Sequence, residues 1–347
     1  MEVKIKNKKM HLPAFFPDAT RGHIKNVSSQ ELRKTKTLGV VVNAYHILQE
    51  NLIYRIGKSG IHKHMNFNGI VISDSGGFQV MSLIHKNPKL GKIYENEINF
   101  ILNNKKIKLT PENCIQTQIK IGSDIVMCLD DCTHADFPLD KQKKSVERTI
   151  RWARRCKQEF SRLIKGMKQK DKPLLFAIIQ GGNSKKLRKY CASELVKIGF
   201  DGYAFGGFPI KNGKLMKDIL NYVSKLIPNG KLKYAMGVGK PEDIISCCKL
   251  GYNMFDCVIP TRDARHKRLF IFTKKPQKGN IKFNEINIRK KYCKEKKISK
   301  YCDCEACKSY TRKQLLEFFK KDKEKAFKLA TIHNLRFYSN LMQVLRE

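Results

Sequence analysis

The sequence is short of acid. Its 347 residues hold 31 Asp+Glu against 70 Lys+Arg, a formal net charge of +39 with His neutral. Such an excess excludes a charge-balanced surface and suits a polyanionic partner, nucleic acid first and a membrane surface second. A compositional bias toward Lys, Ile and Asn raises basicity without any ligand, so charge favours nucleic acid without requiring it. Long apolar runs are missing too. No stretch of 18 apolar residues exists, which argues against a helix crossing a bilayer. The opening M-E-V-K-I-K-N-K-K-M lacks an apolar core and a small-residue cleavage site, so no secretory leader is expected. Only three of the 12 cysteines cluster tightly, unlike a secreted disulfide framework. There is no internal repeat and no low-complexity tract. These absences predict a soluble protein of a reducing cytoplasm.

What is present is a series of short, β-rich apolar runs. Eight occur, near 13–18, 39–45, 69–75, 124–131, 174–180, 201–207, 234–239 and 254–260, most ending in Gly, Asn, Asp or Gln. Near-continuous apolar strands are those of a parallel sheet buried on both faces. Amphipathic segments between them imply βαβ crossovers. Leu139 to Met167 carries Val146, Ile150, Ala153 and Phe160 at helical spacing, and Thr110-Pro111-Glu112 opens a helix through Ile121. Pro241-Glu242-Asp243 opens another. The expected architecture is a (β/α)₈ barrel with its active site at the strand C-termini. Residues 88–109 read as an inserted hairpin, and the segments around 268–273 and 281–288 as a second one. The expected division is a barrel over 1–270, with an insertion at about 85–110, and a basic hairpin and zinc-binding subdomain over 271–347.

The chain is organised around Y-N-M-F-D-C-V-I-P-T-R-D-A-R at 252–265, where one carboxylate, Asp256, interrupts an apolar strand and two arginines, Arg262 and Arg265, follow. Burying an unpaired carboxylate is expensive, so the position suggests a use, although pairing with a buried Arg or backbone amides would also explain it. Asp74-Ser75-Gly76-Gly77-Phe78-Gln79 ends the third strand, Asp130-Asp131 the fourth, Gln180-Gly181-Gly182 the fifth and Gly206-Gly207 the sixth. Each alone is ordinary turn chemistry. Converging on one barrel face, they suit a flat, polar, hydrogen-bonding ligand such as a base. Residues 262–300 hold 15 Lys+Arg against three acids, an excess of +12 beside Asp256, which fits a nucleic-acid backbone. Cys302, Cys304 and Cys307, with His333 some 25 residues further on, form a structural zinc set of one ion per chain. Cys293 is the alternative ligand.

With S-D-S-G-G-F-Q at 73–79, F-D-C-V-I-P-T-R at 255–262 and C-x-C-x₂-C with a distant His, the chain resembles the bacterial-type tRNA-guanine transglycosylases from about Pro13 to Leu345. The resemblance implies exchange of guanine at the first anticodon position of tRNA for a 7-deazaguanine, either the 7-aminomethyl base or queuine. It matches Asp256 to the nucleophile and Asp74 to the general acid/base. Asp130 and Gln180 match residues on the base edge, Gly207 a backbone contact, Phe78 and Met236 the ring sandwich, and Arg262 and Arg265 anticodon-loop contacts. A homodimer is the expected assembly.

One departure bears on substrate. Bacterial members usually read G-G-L-A-V-G-E after strand six, where this chain has G-G-F-P-I-K-N at 206–212. Lys211 and Asn212 stand near the family's acid, which would disfavour a cationic substituent unless Asp131 or Asp201 supplies the charge. Two other readings compete: a catalytically silent tRNA-binding homologue acting as a partner subunit, and an unrelated barrel enzyme for a small anionic metabolite. The first should lose Asp256 or Asp74, and the second needs neither the basic segment nor the zinc set.

Overall fold

The computed structural model describes residues 1–134, 136–289 and 296–347, and Cys293 lies outside them. All eight expected strands form: β1 (Ala14–Pro17), β2 (Gly39–Asn43), β3 (Ile70–Asp74), β4 (Ile125–Met127), β5 (Leu174–Ile179), β6 (Gly202–Phe205), β7 (Leu232–Ala235) and β8 (Met254–Cys257). From β2 to β8 each pairs in parallel with its sequence neighbour, and β8 pairs with β1. A parallel bridge between Asp18 and Val41 and the Ala19 N–H···O Val41 bond (2.8 Å) close β1 onto β2. The sheet is thus a barrel.

Strand parity decides what faces the lumen. Phe16, Ile70, Ile72, Met127, Ile178, Tyr234 and Met254 pack together inside the barrel, while the residues between them pack outward against helices. The period of two therefore turns Asp74, two residues beyond Ile72, and Asp256, two beyond Met254, toward the barrel axis. The opposite end is plugged by the N-terminal hairpin Glu2–Ile5/Lys8–His11. There Lys8 Nζ donates to the buried Asp124 at 2.8 Å, and Val71 N–H to the same oxygen at 2.9 Å.

Among the described residues, helices α1 (Ser29–Lys34) to α9 (Pro241–Lys249) occupy the connections between strands; those used below are α4 (Gly77–Lys86), α6 (Leu139–Leu163) and α7 (Lys185–Ile198). Between α4 and α5 (Pro111–Ile121) the expected hairpin, Ile98–Leu102 with Lys105–Leu109, carries a third antiparallel strand, Gly91–Ile93. The insert is held on α6: Arg148 and Arg151 pair with Glu95, and Trp152 Nε1 donates to Glu95 O at 2.9 Å.

After β8 comes α10 (Ile259–Arg265), then a hairpin of Arg268–Phe272 with Phe283–Asn287, as expected. The chain continues through α11 (Glu305–Ser309) and α12 (Arg312–Lys321) and returns as α13 (Lys323–Arg346), which packs on β1, α9 and α10 in the place of the eighth barrel helix. Asn334 Nδ2 donates to Pro260 O and Arg268 O, both at 3.0 Å, and Tyr338 OH to Gly239 O at 2.6 Å. The charged stretch from Lys313 to Lys328 is not one helix, because the Asp322 carboxylate caps a new one at Lys325 N–H. No helix among the described residues is long and apolar enough to cross a membrane.

Candidate active site

A cavity of about 370 Å³ opens at the C-terminal mouth of the barrel. Asp74, Phe78, Asp130, Gln180, Gly207, Met236 and Asp256, all singled out in the sequence, line it together.

Asp256 lies in β8, one residue before its end, between Phe255 and Cys257. Its Oδ1 accepts from Gly237 N–H at 2.9 Å. Burial raises its pKa, and the Gly237 amide and the Tyr234 hydroxyl, both donating to it, oppose the rise. Asp74 ends β3, and its Oδ2 accepts from Asn43 Nδ2 at 2.8 Å. Burial, and then the Asp256 charge, push Asp74 up to about 6, against the Ser75 and Gly76 amides. The Ser75-Gly76-Gly77 turn stays tight because Gly76 has φ +79° and a Cβ there would lie 2.5 Å from Tyr45 Cβ. Burial raises both carboxyls, and the Asp256 charge adds to the rise only at Asp74, which at about 6 is poised to carry a proton near neutrality.

Asp130 is 5 % exposed and accepts from Gln180 Nε2 at 2.5 Å. Burial raises it to about 7, the Gln180 bond opposes, and the charges of Asp74 and Asp131 add to the rise. Gly206 permits this pair, since a Cβ there would meet Gln180 Nε2 at 2.5 Å. Phe78 is 41 % exposed at the mouth. Carboxylates, the Gln180 amide and the Gly207 backbone together with apolar side chains in one cavity suit a flat heteroaromatic ring.

Arg262 and Arg265 lie on α10, directly after the Asp256 strand. Arg262 is exposed, and its Nε donates to Asp263 Oδ1 at 3.0 Å, an oxygen shared with Arg268 Nη2 at 2.7 Å. Arg262 is therefore paired with a carboxylate of its own helix, Asp263. Asn43, Cys132, Tyr234 and Gly237, which the sequence did not single out, also reach the site, as does Gln79 of the 73–79 motif. Gln79 and Cys132 line the cavity, and Gln79 Oε1 is buried without a partner among the described residues. Parity with Met236 and the strand-end Asn at 43 were the available signals.

In the C-terminal segment the Sγ atoms of Cys302, Cys304 and Cys307 and the ring nitrogen of His333 lie within 4.8 Å of one another. His333 Nδ1 is 3.2 Å from Cys307 Sγ and 3.7 Å from Cys304 Sγ. His333 Nε2–H donates to Phe270 O at 2.8 Å, which leaves Nδ1 as the ligand atom. Asp303 and Arg336 form a two-pronged pair (2.5 and 2.9 Å) that holds the loop on α13. A tetrahedral ion at ordinary Zn–S and Zn–N distances would set S···N edges of about 3.6 Å, so these four residues fit a closed metal site.

Fold and site together define a (β/α)₈-barrel enzyme built on carboxylates at the strand ends and carrying a Cys₃His group able to hold a metal ion. The family model described as queuine tRNA-ribosyltransferase matches residues 1–347. Curated proteins of that name are similar throughout. That of Actinobacillus succinogenes is 38 % identical over 339 residues, 96 % of this chain and 85 % of the relative. That of Pasteurella multocida is 39 % identical over 339 residues (96 % and 83 %), and that of Buchnera aphidicola 38 % over 341 residues (96 % and 88 %). The chain belongs to the queuine tRNA-ribosyltransferase family.

Proposed function

We propose that the protein is a tRNA-guanine transglycosylase, exchanging guanine at the first anticodon position for a 7-deazaguanine through a covalent glycosyl-enzyme. The observation that carries the reading is the convergence of Asp256, Asp74 and the Asp130–Gln180 pair on one cavity. The target base leaves its stack to enter the cavity. An Asp256 carboxylate oxygen bonds to C1′ as the C1′–N9 bond breaks, its electron pair going to the base. Asp74, entering as the acid, protonates the departing ring nitrogen. Asp74, now a carboxylate, takes the N9 proton of the incoming base, whose nitrogen displaces Asp256 from C1′. Asp130 accepts from the N–H groups of the base edge, while Gln180 and the Gly207 amide donate to its carbonyl. Phe78 and Met236 cover its faces.

Arg262, Arg265 and the basic segment after them hold the anticodon loop. Cys302, Cys304, Cys307 and His333 hold one zinc ion with a structural role, fixing the loop on α13. On this reading the enzyme works in the cytoplasm as a homodimer, with a catalytic barrel (1–270) and a basic, zinc-binding subdomain (271–347) packed on it.

The incoming base follows from the wall of the cavity formed by Phe208, Pro209 and Ile210. Asn212 and Gly213 have φ of +49° and +73° and turn the short hairpin of Ile210–Lys211 with Lys214–Leu215. Asn tolerates that left-handed turn. Lys211 pairs with Asp136 instead of meeting the ligand. Asp131 is engaged by Arg148, and Asp201 accepts from Leu175 N–H at 2.8 Å, at the start of its strand. Neither supplies a charge for an ammonium. Queuine or another base with an uncharged C7 substituent is therefore favoured over the aminomethyl base. Incubation with tRNA and each labelled base, followed by digestion to nucleosides, tests both statements. No incorporation of any 7-deazaguanine overturns the reaction. A preference of tenfold or more for the aminomethyl base overturns the substrate.

A further inference from the structure

Five rings run outward from the cavity mouth. Phe78 meets Phe208 with centroids 5.7 Å apart, Phe208 meets His134 at 4.9 Å, His134 meets Phe137 at 6.3 Å and Phe137 meets His85 at 5.5 Å. They come from α4, the loop before α6 and the loop after β6. Only Phe78 and Phe208 line the base cavity, so the row continues beyond it. The outer members are open to solvent: the His134 side chain is 52 % exposed, and His85 is exposed. We propose that this row is a stacking platform for the unpaired RNA nucleotides flanking the extruded base. The inference rests on the exchange reaction proposed above and adds an RNA surface to it.

Three observations choose the occupant. Phe78, His134 and His85 are exposed, with Phe208 and Phe137 half-buried between them; such a surface marks a binding site, and this row is continuous with a cavity shaped for a base. The row is set in cations: Lys141 Nζ lies 5.8 Å from the Phe137 centroid, and Lys86, Lys143 and Lys144 on the same two helices are exposed. The nearest acid, Asp136, is engaged by Lys211. The same face of a second copy would set Lys86, Lys141, Lys143 and Lys144 against their own like charges, whereas RNA brings the opposite charge. The ring positions are also held in place. Asp136 N–H donates to His134 Nδ1 at 3.3 Å, and the Asp136–Lys211 pair ties that loop to the β6 loop. Extruding one base leaves the faces of its neighbours bare. Aromatic and imidazole rings cover such faces without reading sequence, each stack tightening binding by about tenfold.

The experiment uses the full-length protein and an anticodon stem-loop carrying 2-aminopurine beside the target guanine. Binding to the wild-type protein should quench the 2-aminopurine. His134→Ala and His85→Ala should each weaken stem-loop binding by about tenfold and relieve the quench. The salt slope should be unchanged, because no phosphate contact is lost, and so should the KM of the incoming base. His134→Trp and His85→Trp should restore both affinity and quench. Wild-type affinity and quench in the Ala variants would overturn the platform. So would a flattened salt slope without rescue by Trp, which indicates charge contacts. A raised KM for the incoming base would assign the row to that base, and altered self-association with intact RNA binding would assign it to a protein partner. If the exchange reading itself fails, the wild-type protein neither binds the stem-loop nor exchanges its guanine, an outcome distinct from all of these.

Discussion

Replacing Asp130 by Asn should stabilise the fold while destroying base recognition, and the gain should depend on pH. Asn is nearly isosteric and can still accept the Gln180 bond, so the substitution chiefly removes a charge. In the folded chain Asp130 is raised from 3.8 to about 7, mainly by burial. Between those values the native state holds a proton that the unfolded chain has released, so stability falls as pH rises from about 4 to about 7 and is level above. The shift of about three units amounts to about 4 kcal/mol at 1.36 kcal/mol per unit. Asn carries no such penalty. At about 2.1 cal/mol/K per residue, unfolding entropy for this chain is about 0.7 kcal/mol/K, so the full gain is up to about 6 °C in Tm. Differential scanning of Asp130→Asn and wild-type protein from pH 4.5 to 8 measures it. Any pH dependence of metal binding cancels in the difference. The gain should be small at pH 4.5 and grow to its full size above pH 7. A variant less stable at pH 8, or a gain independent of pH, would refute the reasoning that the site stores an unfavourable buried charge.

Other expectations concern separate parts of the molecule. Asp74→Asn should bind tRNA normally and fail to turn over; near-normal exchange would pass the proton-transfer role to Asp130. Metal analysis should show about one zinc per chain, and Cys304→Ala should lose it and lower Tm, whereas full metal content would show a wrong ligand set. Arg265→Ala and Arg262→Ala should each weaken tRNA binding and flatten its salt dependence. The Arg262 effect should be the smaller, since Asp263 already shares its charge. A fall in Tm with an unaltered salt slope would instead make either arginine structural.

The barrel was legible because its strands are buried on both faces and read as near-continuous apolar runs, most ending in a polar or glycine signal. Asp256 stood out for the same reason, as the one charge inside such a run. Tyr234 was not legible, because a tyrosine in an apolar strand reads as core until the structure shows its hydroxyl on Asp256. Gly91–Ile93 was missed because a three-residue edge strand with a lysine at its centre carries no alternation. The place of α13 against β1 was hidden too: residues 258 to 322 separate it from β8, and nothing local in Lys323–Arg346 says which surface its apolar side meets. Asn212, which in sequence looked only like a lost acid, is explained by the left-handed turn it occupies.

The central claim is that Asp256 forms a covalent bond to the ribose of the target nucleotide. Wild-type protein incubated with tRNA in the absence of incoming base, then denatured and digested, should yield a nucleotide-modified peptide containing Asp256 by mass spectrometry. Asp256→Asn should bind tRNA and give no adduct. An adduct on any other residue, or one formed by Asp256→Asn at the wild-type level, would contradict the account.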